Sequence, residues 1–212
     1  MSSCGNESCI RPADKKCSIC SEVYYCSSEC QHANWPQHKV SCKVSVVRLR
    51  PSGGAYWDKN IPQVPHRERF VEEKLERTHA IFKKGELCPL TEFYGHPILI
   101  YCPLIHSKVT DRPMGDNELA VYLRIEPSDG FAPPKWQVHN PGDCFVVRRD
   151  KKPLSKDLVQ TMFAYHSDLL DWYFEEQMES GHPPGQGIDA ADFKRFYKKY
   201  WHLGEDSDAE PV

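Results

Sequence analysis

The sequence predicts an α+β protein: a small cysteine-rich module followed by a domain with a short antiparallel sheet covered by helices. Three observations predict this organisation. Seven cysteines and one of the two histidines of the first 42 residues form closely spaced pairs, apolar runs suited to strands occupy the middle of the chain, and apolar stripes of helical period lie near its end. The 212 residues are enough for one such module and one domain of ordinary size.

The amino-terminal module contains eight potential metal ligands in four closely spaced pairs. Short spacings let one turn or one helical step present two ligands to the same ion, and four Cys or His ligands complete a structural zinc site. Eight ligands therefore suffice for two zinc ions, bound for structure. In chain order the pairs are Cys4 and Cys9, Cys17 and Cys20, Cys26 and Cys30, and His38 and Cys42.

Disulfide bonds and unligated thiols are both disfavoured for these cysteines. Disulfide bonds need an oxidising compartment, and the chain starts with Met1-Ser2-Ser3 and shows no apolar segment typical of a signal peptide. We therefore expect an intracellular protein, in the nucleus, the cytoplasm or both. Unligated buried thiols are disfavoured because so short and polar a stretch needs metal or disulfides to fold.

The stretch from Cys17 to Cys42 resembles a MYND zinc finger. The stretch contains six of the eight ligands, together with the Tyr-Cys-Ser, Cys-Gln, Trp and His-Lys steps between them. The first pair departs from the family, which has two residues between these cysteines where this chain has four. The resemblance implies interleaved sites, with one ion held by Cys4, Cys9, Cys26 and Cys30 and the other by Cys17, Cys20, His38 and Cys42.

The resemblance also implies a partner: in some MYND fingers a short proline-rich peptide lies along the hairpin edge and packs on a tryptophan. Transferred to this sequence, that role falls on Ser18, Gln31 and Trp35. The chemistry is reasonable, because an extended proline-rich segment is pre-ordered and packs well on an aromatic ring. The alternative for Trp35 is that it fills a gap between two short helices of the finger, one capped by Ser27 or Ser28 and a second after a break at Trp35-Pro36.

The remainder of the chain predicts a linker and then the α+β domain. We place the finger at residues 1–44, the linker at 45–65, the domain at 66–204 and an acidic disordered tail at 205–212. Within the domain, a helix is predicted at 66–84 and strands at 97–102, 119–125, 135–139 and 144–148, the last ones forming an antiparallel meander. Two covering helices are predicted after them, one capped by Ser155 and one beginning near Asp189 with an aromatic stripe that predicts core: Phe193, Phe196, Tyr197, Tyr200 and Trp201.

Charge and hydropathy exclude two classes of partner. The formal net charge of −3 does not provide the basic field that phosphate contacts require, so no direct nucleic-acid binding is expected. Likewise, no apolar run approaches the length of a membrane span, so no membrane partner is expected.

The sequence favours a zinc-dependent protein-interaction module or adaptor, regulatory and transcription-related, over an enzyme. The alternative is an enzyme, for example methyltransferase-like, whose active site lies on the α+β domain and whose finger recruits substrate. MYND fingers occur inside SET-domain methyltransferases, but the Asn-His-Ser-Cys signature of that family is absent.

A looser set, formed by Cys88, His96, Cys102 and His106, leaves a third zinc site open. Its spacings lack the paired knuckles of the finger, so buried thiols are the favoured interpretation of the two cysteines.

Overall fold

The structure is a computed structural model that describes residues 2–53, 64–107, 115–138, 141–179 and 190–204. At residues 172–179, 190 and 200–204 it describes the backbone only. It confirms the α+β class: helices accompany a five-stranded antiparallel sheet, and the cysteine-rich module precedes them. The predicted acidic tail at 205–212 lies outside the described residues. No helix among the described residues is both long and apolar enough to cross a membrane.

The finger contains two small hairpins and one helix. Strand β1 (Ser2–Ser3) pairs with β2 (Pro12–Ala13), and β3 (Lys15–Lys16) pairs with β4 (Tyr24–Tyr25), each antiparallel. Helix α1 (Ser28–Ser41) follows, and its N-cap is Ser27, whose hydroxyl accepts a hydrogen bond from the Cys30 amide at 3.3 Å. The Ser27 cap agrees with the sequence prediction.

The predicted break at Trp35-Pro36 is wrong, because α1 runs through Pro36 without interruption. An interior proline costs a helix about 3 kcal/mol, since it removes one hydrogen bond and crowds the preceding turn. Cys30 on one side of Pro36 and His38 on the other both point to the buried interior of the finger. Anchoring on both sides therefore outweighs the local preference for a break.

Strand β5 (Lys43–Leu49) follows the finger directly, although the sequence predicts a linker from residue 45. Its Val44 and Val46 belong to one buried cluster and its Val47 and Leu49 to another. A strand buried on both faces shows no polar–apolar alternation. The pattern that identifies a half-buried strand is therefore missing from β5. Part of the remaining linker prediction, residues 54–63, lies outside the described residues.

The helix predicted at 66–84 is also wrong. The segment forms a short 3-10 helix (His66–Arg69), strand β6 (Phe70–Glu76) and helix α2 (Ile81–Lys84). Strand β6 pairs with β5 over its whole length, from Lys43 opposite Glu76 to Leu49 opposite Phe70. The Glu and Lys residues of this segment favour a helix, but pairing with β5 overrides that preference. Charged side chains are tolerated in β6 because it is an edge strand, where they remain exposed.

The five-stranded sheet has the order β6-β5-β9-β8-β7, with β7 (Glu86–Leu87), β8 (Ile98–Tyr101) and β9 (Cys144–Arg148). The strands predicted around β8 and β9 are confirmed. Those predicted at 119–125 and 135–139 are wrong, because these segments form helices α5 (Glu118–Tyr122) and α6 (Pro134–Val138). Asn117 caps α5 and Pro134 starts α6, and both residues are typical helix-start signals. The predicted meander is therefore replaced by two short helices.

Each face of the sheet packs against its own buried cluster, and the larger cluster includes most of the helices. Helices α5, α6, α7 (Lys156–Glu179) and α8 (Ala190–Gly204) contribute to the larger core, together with the short α3 (Thr91–Tyr94) and α4 (Pro103–Ser107). The Ser155 hydroxyl accepts from the Leu158 amide at 3.2 Å, which confirms the predicted cap of α7. In the aromatic stripe Phe193 is buried against Tyr94, whereas Tyr197 is partly exposed. The side chains of Tyr200 and Trp201 lie outside the description.

Asn117 joins three segments of the larger core, and its replacement by alanine should lower the free energy of unfolding by about 2 to 3 kcal/mol. Its buried amide donates to the Leu49 carbonyl at 3.0 Å and to the Gly142 carbonyl at 2.6 Å, and its oxygen accepts from the Ala120 amide. The alanine substitution would leave the Leu49 and Gly142 carbonyls and the Ala120 amide without these hydrogen bonds in the core. Urea unfolding measures the change, with Asp129→Ala in an exposed turn as the control. Equal effects of the two substitutions would contradict this role of Asn117.

Candidate metal centres

The first candidate centre lies between the two hairpins and the start of α1. It brings together Cys4, Cys9, Cys26 and Cys30, whose sulfur atoms all lie within 4.8 Å of one another. The Sγ atoms of Cys9 and Cys26 are 3.6 Å apart, and those of Cys26 and Cys30 are 3.5 Å apart. Cys4 and Cys30 are buried and the remaining two are half-buried.

The second candidate centre lies where the β3–β4 hairpin meets the end of α1. It brings together Cys17, Cys20, His38 and Cys42, all buried. The Sγ atoms of Cys17 and Cys42 are 3.9 Å apart, and the Cys20 Sγ lies 3.5 Å from the His38 Nε2. His38 is in the last turn of α1 and Cys42 is its C-cap, so one helix end supplies half of this centre.

Both centres have the dimensions of a zinc site. A tetrahedron with metal–sulfur bonds of about 2.3 Å has sulfur–sulfur edges of about 3.8 Å, and replacing one sulfur by nitrogen shortens the edge to about 3.6 Å. The distances in the two centres lie close to these values. The donor sets, four thiols in one centre and three thiols with one imidazole in the other, are typical of structural zinc. The two centres fit two zinc ions and are the interleaved sets that the resemblance implies.

The ligands are also the core of the finger. Apart from Ala13 and Tyr25, every buried residue of the finger's apolar cluster is a cysteine of one of the two centres. Tyr25 is completely buried between them, and its hydroxyl donates to the Asn34 side-chain oxygen at 3.0 Å. So few apolar groups bury little surface, and for this reason a module of this size depends on metal.

The surroundings of the thiols affect their protonation, and zinc binds the thiolate form. Hydrogen bonds from the Arg11 backbone and side chain lower the pKa of Cys9 to about 6. Burial raises the pKa of Cys42 to about 12. Since protons compete with zinc at such ligands, zinc affinity should increase with pH.

The looser set of Cys88, His96, Cys102 and His106 does not converge. The Cys88 thiol donates to the Leu123 carbonyl and the Cys102 thiol to the Pro141 carbonyl, each at 3.1 Å, and both residues are fully buried. His106 Nε2 contacts the Glu86 carboxylate at 2.6 Å. Within the part of the chain that the structure describes, only the two finger centres group ligand atoms within reach of one ion.

None of the three residues to which the resemblance assigns peptide binding is buried. Ser18 is exposed in the turn between Cys17 and Cys20, and Gln31 and Trp35 are half-buried. Gln31 and Trp35 are four residues apart on α1 and therefore share a face. Trp35 meets the edge of the His38 ring, with ring centroids 5.8 Å apart. Because α1 is a single helix, the predicted gap between two helices, which Trp35 would fill, does not exist.

The α+β domain contacts the finger through residues that the sequence did not indicate. The Arg77 guanidinium lies 4.5 Å from the centroid of the Trp35 ring. Lys74 on β6 pairs with Glu22, and this ion pair lowers the pKa of Glu22. Ile19 packs against both the finger cluster and the second face of the sheet. These contacts join segments distant in the chain, so no local pattern indicates them.

Comparison with known proteins gives matches of different extent. Mouse Tudor domain-containing protein 1 is 25% identical over 199 aligned residues, which cover 82% of this chain and 16% of that protein. The Drosophila zinc finger MYND domain-containing protein 10 homolog is 53% identical over 34 residues, 16% of this chain and 8% of the relative. Human N-lysine methyltransferase SMYD2 is 38% identical over 65 residues, 28% of this chain and 15% of the relative.

The chain thus spans less than a fifth of the length of each of these curated relatives. No solved structure matches it significantly. The family model for the MYND finger matches residues 2–42, the segment that contains all eight ligands of the two centres. Residues 2–42 of this chain are a MYND zinc finger.

Proposed function

We propose that this protein is a zinc-dependent adaptor that docks short proline-rich peptides on its finger within regulatory assemblies, including transcriptional ones, in the nucleus, the cytoplasm or both. MYND fingers are protein-interaction modules, and the family match supports that coarser role. The observation that carries the finer proposal is the shared face of Gln31 and Trp35 on α1, neither of which is buried, as Ser18 is not. The α+β domain is proposed as a second docking surface.

The physical basis of docking is an aromatic surface with hydrogen-bonding side chains. A half-buried indole offers apolar area to a proline ring, and hydrogen-bonding groups beside it can hold an extended backbone. Gln31 and Ser18 supply such groups, since neither side chain is buried. The finger holds these positions rigidly only when its ligands are bound to metal, so zinc and peptide binding should be linked.

The enzyme alternative receives less support. The methyltransferase relative SMYD2 aligns over only 65 residues, 15% of its own length, and this partial match brings no catalytic domain into the comparison. The main polar cluster of the α+β domain surrounds Glu86, and both of its carboxylate oxygens already contact other side chains. A group saturated by structural partners is a poor candidate for catalysis.

A peptide titration tests the proposal. Isotope-labelled protein is titrated with a panel of peptides containing proline and leucine, and we expect amide shifts at Ser18 and Gln31 and a shift of the Trp35 indole resonance. Trp35→Ala should weaken binding at least about tenfold, because it removes the aromatic platform. Val40→Ala is the control, since Val40 is 76% exposed and lies about 140° around α1 from Trp35. If no peptide of the panel shifts these resonances, peptide docking is rejected.

A further inference from the structure

The junction between the finger and the sheet contains a cation, Arg77. Arg77 directly follows β6, and its guanidinium lies against the Trp35 ring. Its Nε is buried and has no hydrogen-bond partner. Among the residues that the structure describes, no carboxylate forms an ion pair with Arg77. A guanidinium that has no carboxylate partner of its own is available to the carboxylate of a ligand.

A second cation lies beside the first. The Lys151 Nζ donates to the Arg77 carbonyl oxygen at 3.0 Å and lies 4.5 Å from the centroid of the Phe82 ring. Burial lowers the pKa of Lys151, and the nearby charge of Arg77 lowers it further. Glu22, a carboxylate on the adjoining surface of the finger, is paired with Lys74. Arg77 and Lys151 thus place two positive charges side by side in a chain whose net charge is −3.

We propose that Arg77 and Lys151 form a carboxylate subsite that receives an acidic side chain of the peptide docked on Trp35. This inference rests on the proposed docking of proline-rich peptides, and it specifies the partner: a proline-rich segment flanked by aspartate or glutamate. It also gives the α+β domain a defined part in recognition, because the finger alone does not contain Arg77.

The geometry suits a carboxylate. A carboxylate can accept two parallel hydrogen bonds from the two terminal Nη groups of a guanidinium, and this contact does not need the buried Nε of Arg77. Contact with the Trp35 ring also restricts the Arg77 side chain before the ligand arrives, which reduces the ordering cost of binding. Because an extended chain advances about 3.3 Å per residue, the acidic residue should lie within about two positions of the proline on Trp35.

Two matched peptides test the subsite. One has a Pro-Pro-Leu-Pro core flanked on both sides by aspartates, and the other has asparagines at the same positions. With the full chain at low salt, we expect the acidic peptide to bind roughly tenfold more tightly, with a smaller ratio at high salt, about 0.5 M NaCl, because screening weakens exposed charge pairs. Calorimetry or fluorescence polarisation measures both affinities.

Arg77→Gln should abolish the preference for the acidic peptide, so that the two peptides bind this variant with affinities within about twofold of each other. Arg77→Lys keeps the positive charge but loses the two parallel N–H donors of the guanidinium, so it should retain part of the preference. Arg67→Gln is the matched control, since Arg67 is an exposed cation at the other end of β6, roughly 20 Å away along the strand. Unchanged zinc content shows that each variant is folded.

The outcomes separate the two proposals. If wild-type protein binds both peptides equally, or if Arg77→Gln and Arg67→Gln behave alike, the subsite is rejected and peptide docking stands. If neither peptide binds wild-type protein, the docking proposal fails and the subsite fails with it.

Discussion

Replacing His38 with alanine should release the zinc of the second centre and unfold the carboxyl-terminal half of the finger. His38 is buried and supplies the nitrogen of a centre whose other three ligands are Cys17, Cys20 and Cys42. Structural zinc in finger peptides contributes about 10 to 16 kcal/mol at neutral pH. Loss of one ligand in four should therefore weaken zinc binding by roughly 3 kcal/mol, or more than about a hundredfold.

His32 provides a matched control on the same helix. It is exposed and is not among the ligand groups, so His32→Ala removes an imidazole without touching either centre. We expect metal analysis to find about one zinc ion fewer in the His38 variant and an unchanged content in the His32 variant. Amide spectra should show loss of dispersed resonances for residues 15–42 in the His38 variant alone. Retention of both zinc ions after His38→Ala would contradict the assignment of this centre.

Replacing Glu86 with glutamine should lower the free energy of unfolding of the α+β domain by about 3 kcal/mol at pH 7. Glu86 connects the edge strand β7 to helices α4 and α6. One of its oxygens contacts His106 Nε2 at 2.6 Å and Lys135 Nζ at 2.7 Å, and the other contacts Trp136 Nε1 and Arg124 at 3.3 Å. Neutral glutamine would leave the buried Arg124 without its main counter-charge.

The effect of Glu86 should depend on pH in a defined direction. Burial alone would raise its pKa, but the hydrogen bonds from His106, Lys135 and Trp136 lower the pKa to about 2, below the ordinary value of 4.5. A carboxylate with a lowered folded-state pKa stabilises the fold above its unfolded-state pKa, and this contribution disappears as pH falls through the folded-state value. The unfolding free energies of wild type and Glu86→Gln should therefore converge between about pH 5 and pH 2.

Urea unfolding at pH 7 and at pH 3 measures this convergence. Glu126→Gln is the control, because Glu126 lies 3.6 Å from Arg124 but is 42% exposed, and exposed pairs contribute less than about 1 kcal/mol. A Glu86 variant as stable as the Glu126 variant at pH 7 would show that the network around Glu86 does not stabilise the domain.

The finger could be predicted from sequence because its determinants are local. Two ligands four residues apart share a helix face, and two ligands three apart suit a turn, so spacing alone indicates metal. The partition of the eight ligands into two sets is implied by the resemblance, and spacing could not decide it. The uninterrupted α1 could not be predicted because the anchoring of Cys30 and His38 around Pro36 is a tertiary effect.

The sheet was less predictable, for reasons visible in its strands. Strands β8 and β9 are short apolar runs that a sequence pattern identifies, whereas β5 is buried on both faces and β6 carries charged residues suited equally to a helix. The alternation from Leu119 to Ile125 favours a strand, but the cap at Asn117 starts a helix there. Arg77, which belongs to the proposed carboxylate subsite, contacts Trp35. Trp35 precedes β5 in the chain and Arg77 follows β6, so no local sequence pattern predicts this contact.

The most direct test of the central claim is the zinc content of the purified protein, measured together with amide spectra before and after chelation. Two zinc ions per chain are expected, with loss of the dispersed resonances of residues 2–42 when a chelator removes them. A content near three would instead reveal a further site. Protein that contains no zinc and keeps the spectrum of its finger in chelator would contradict the account.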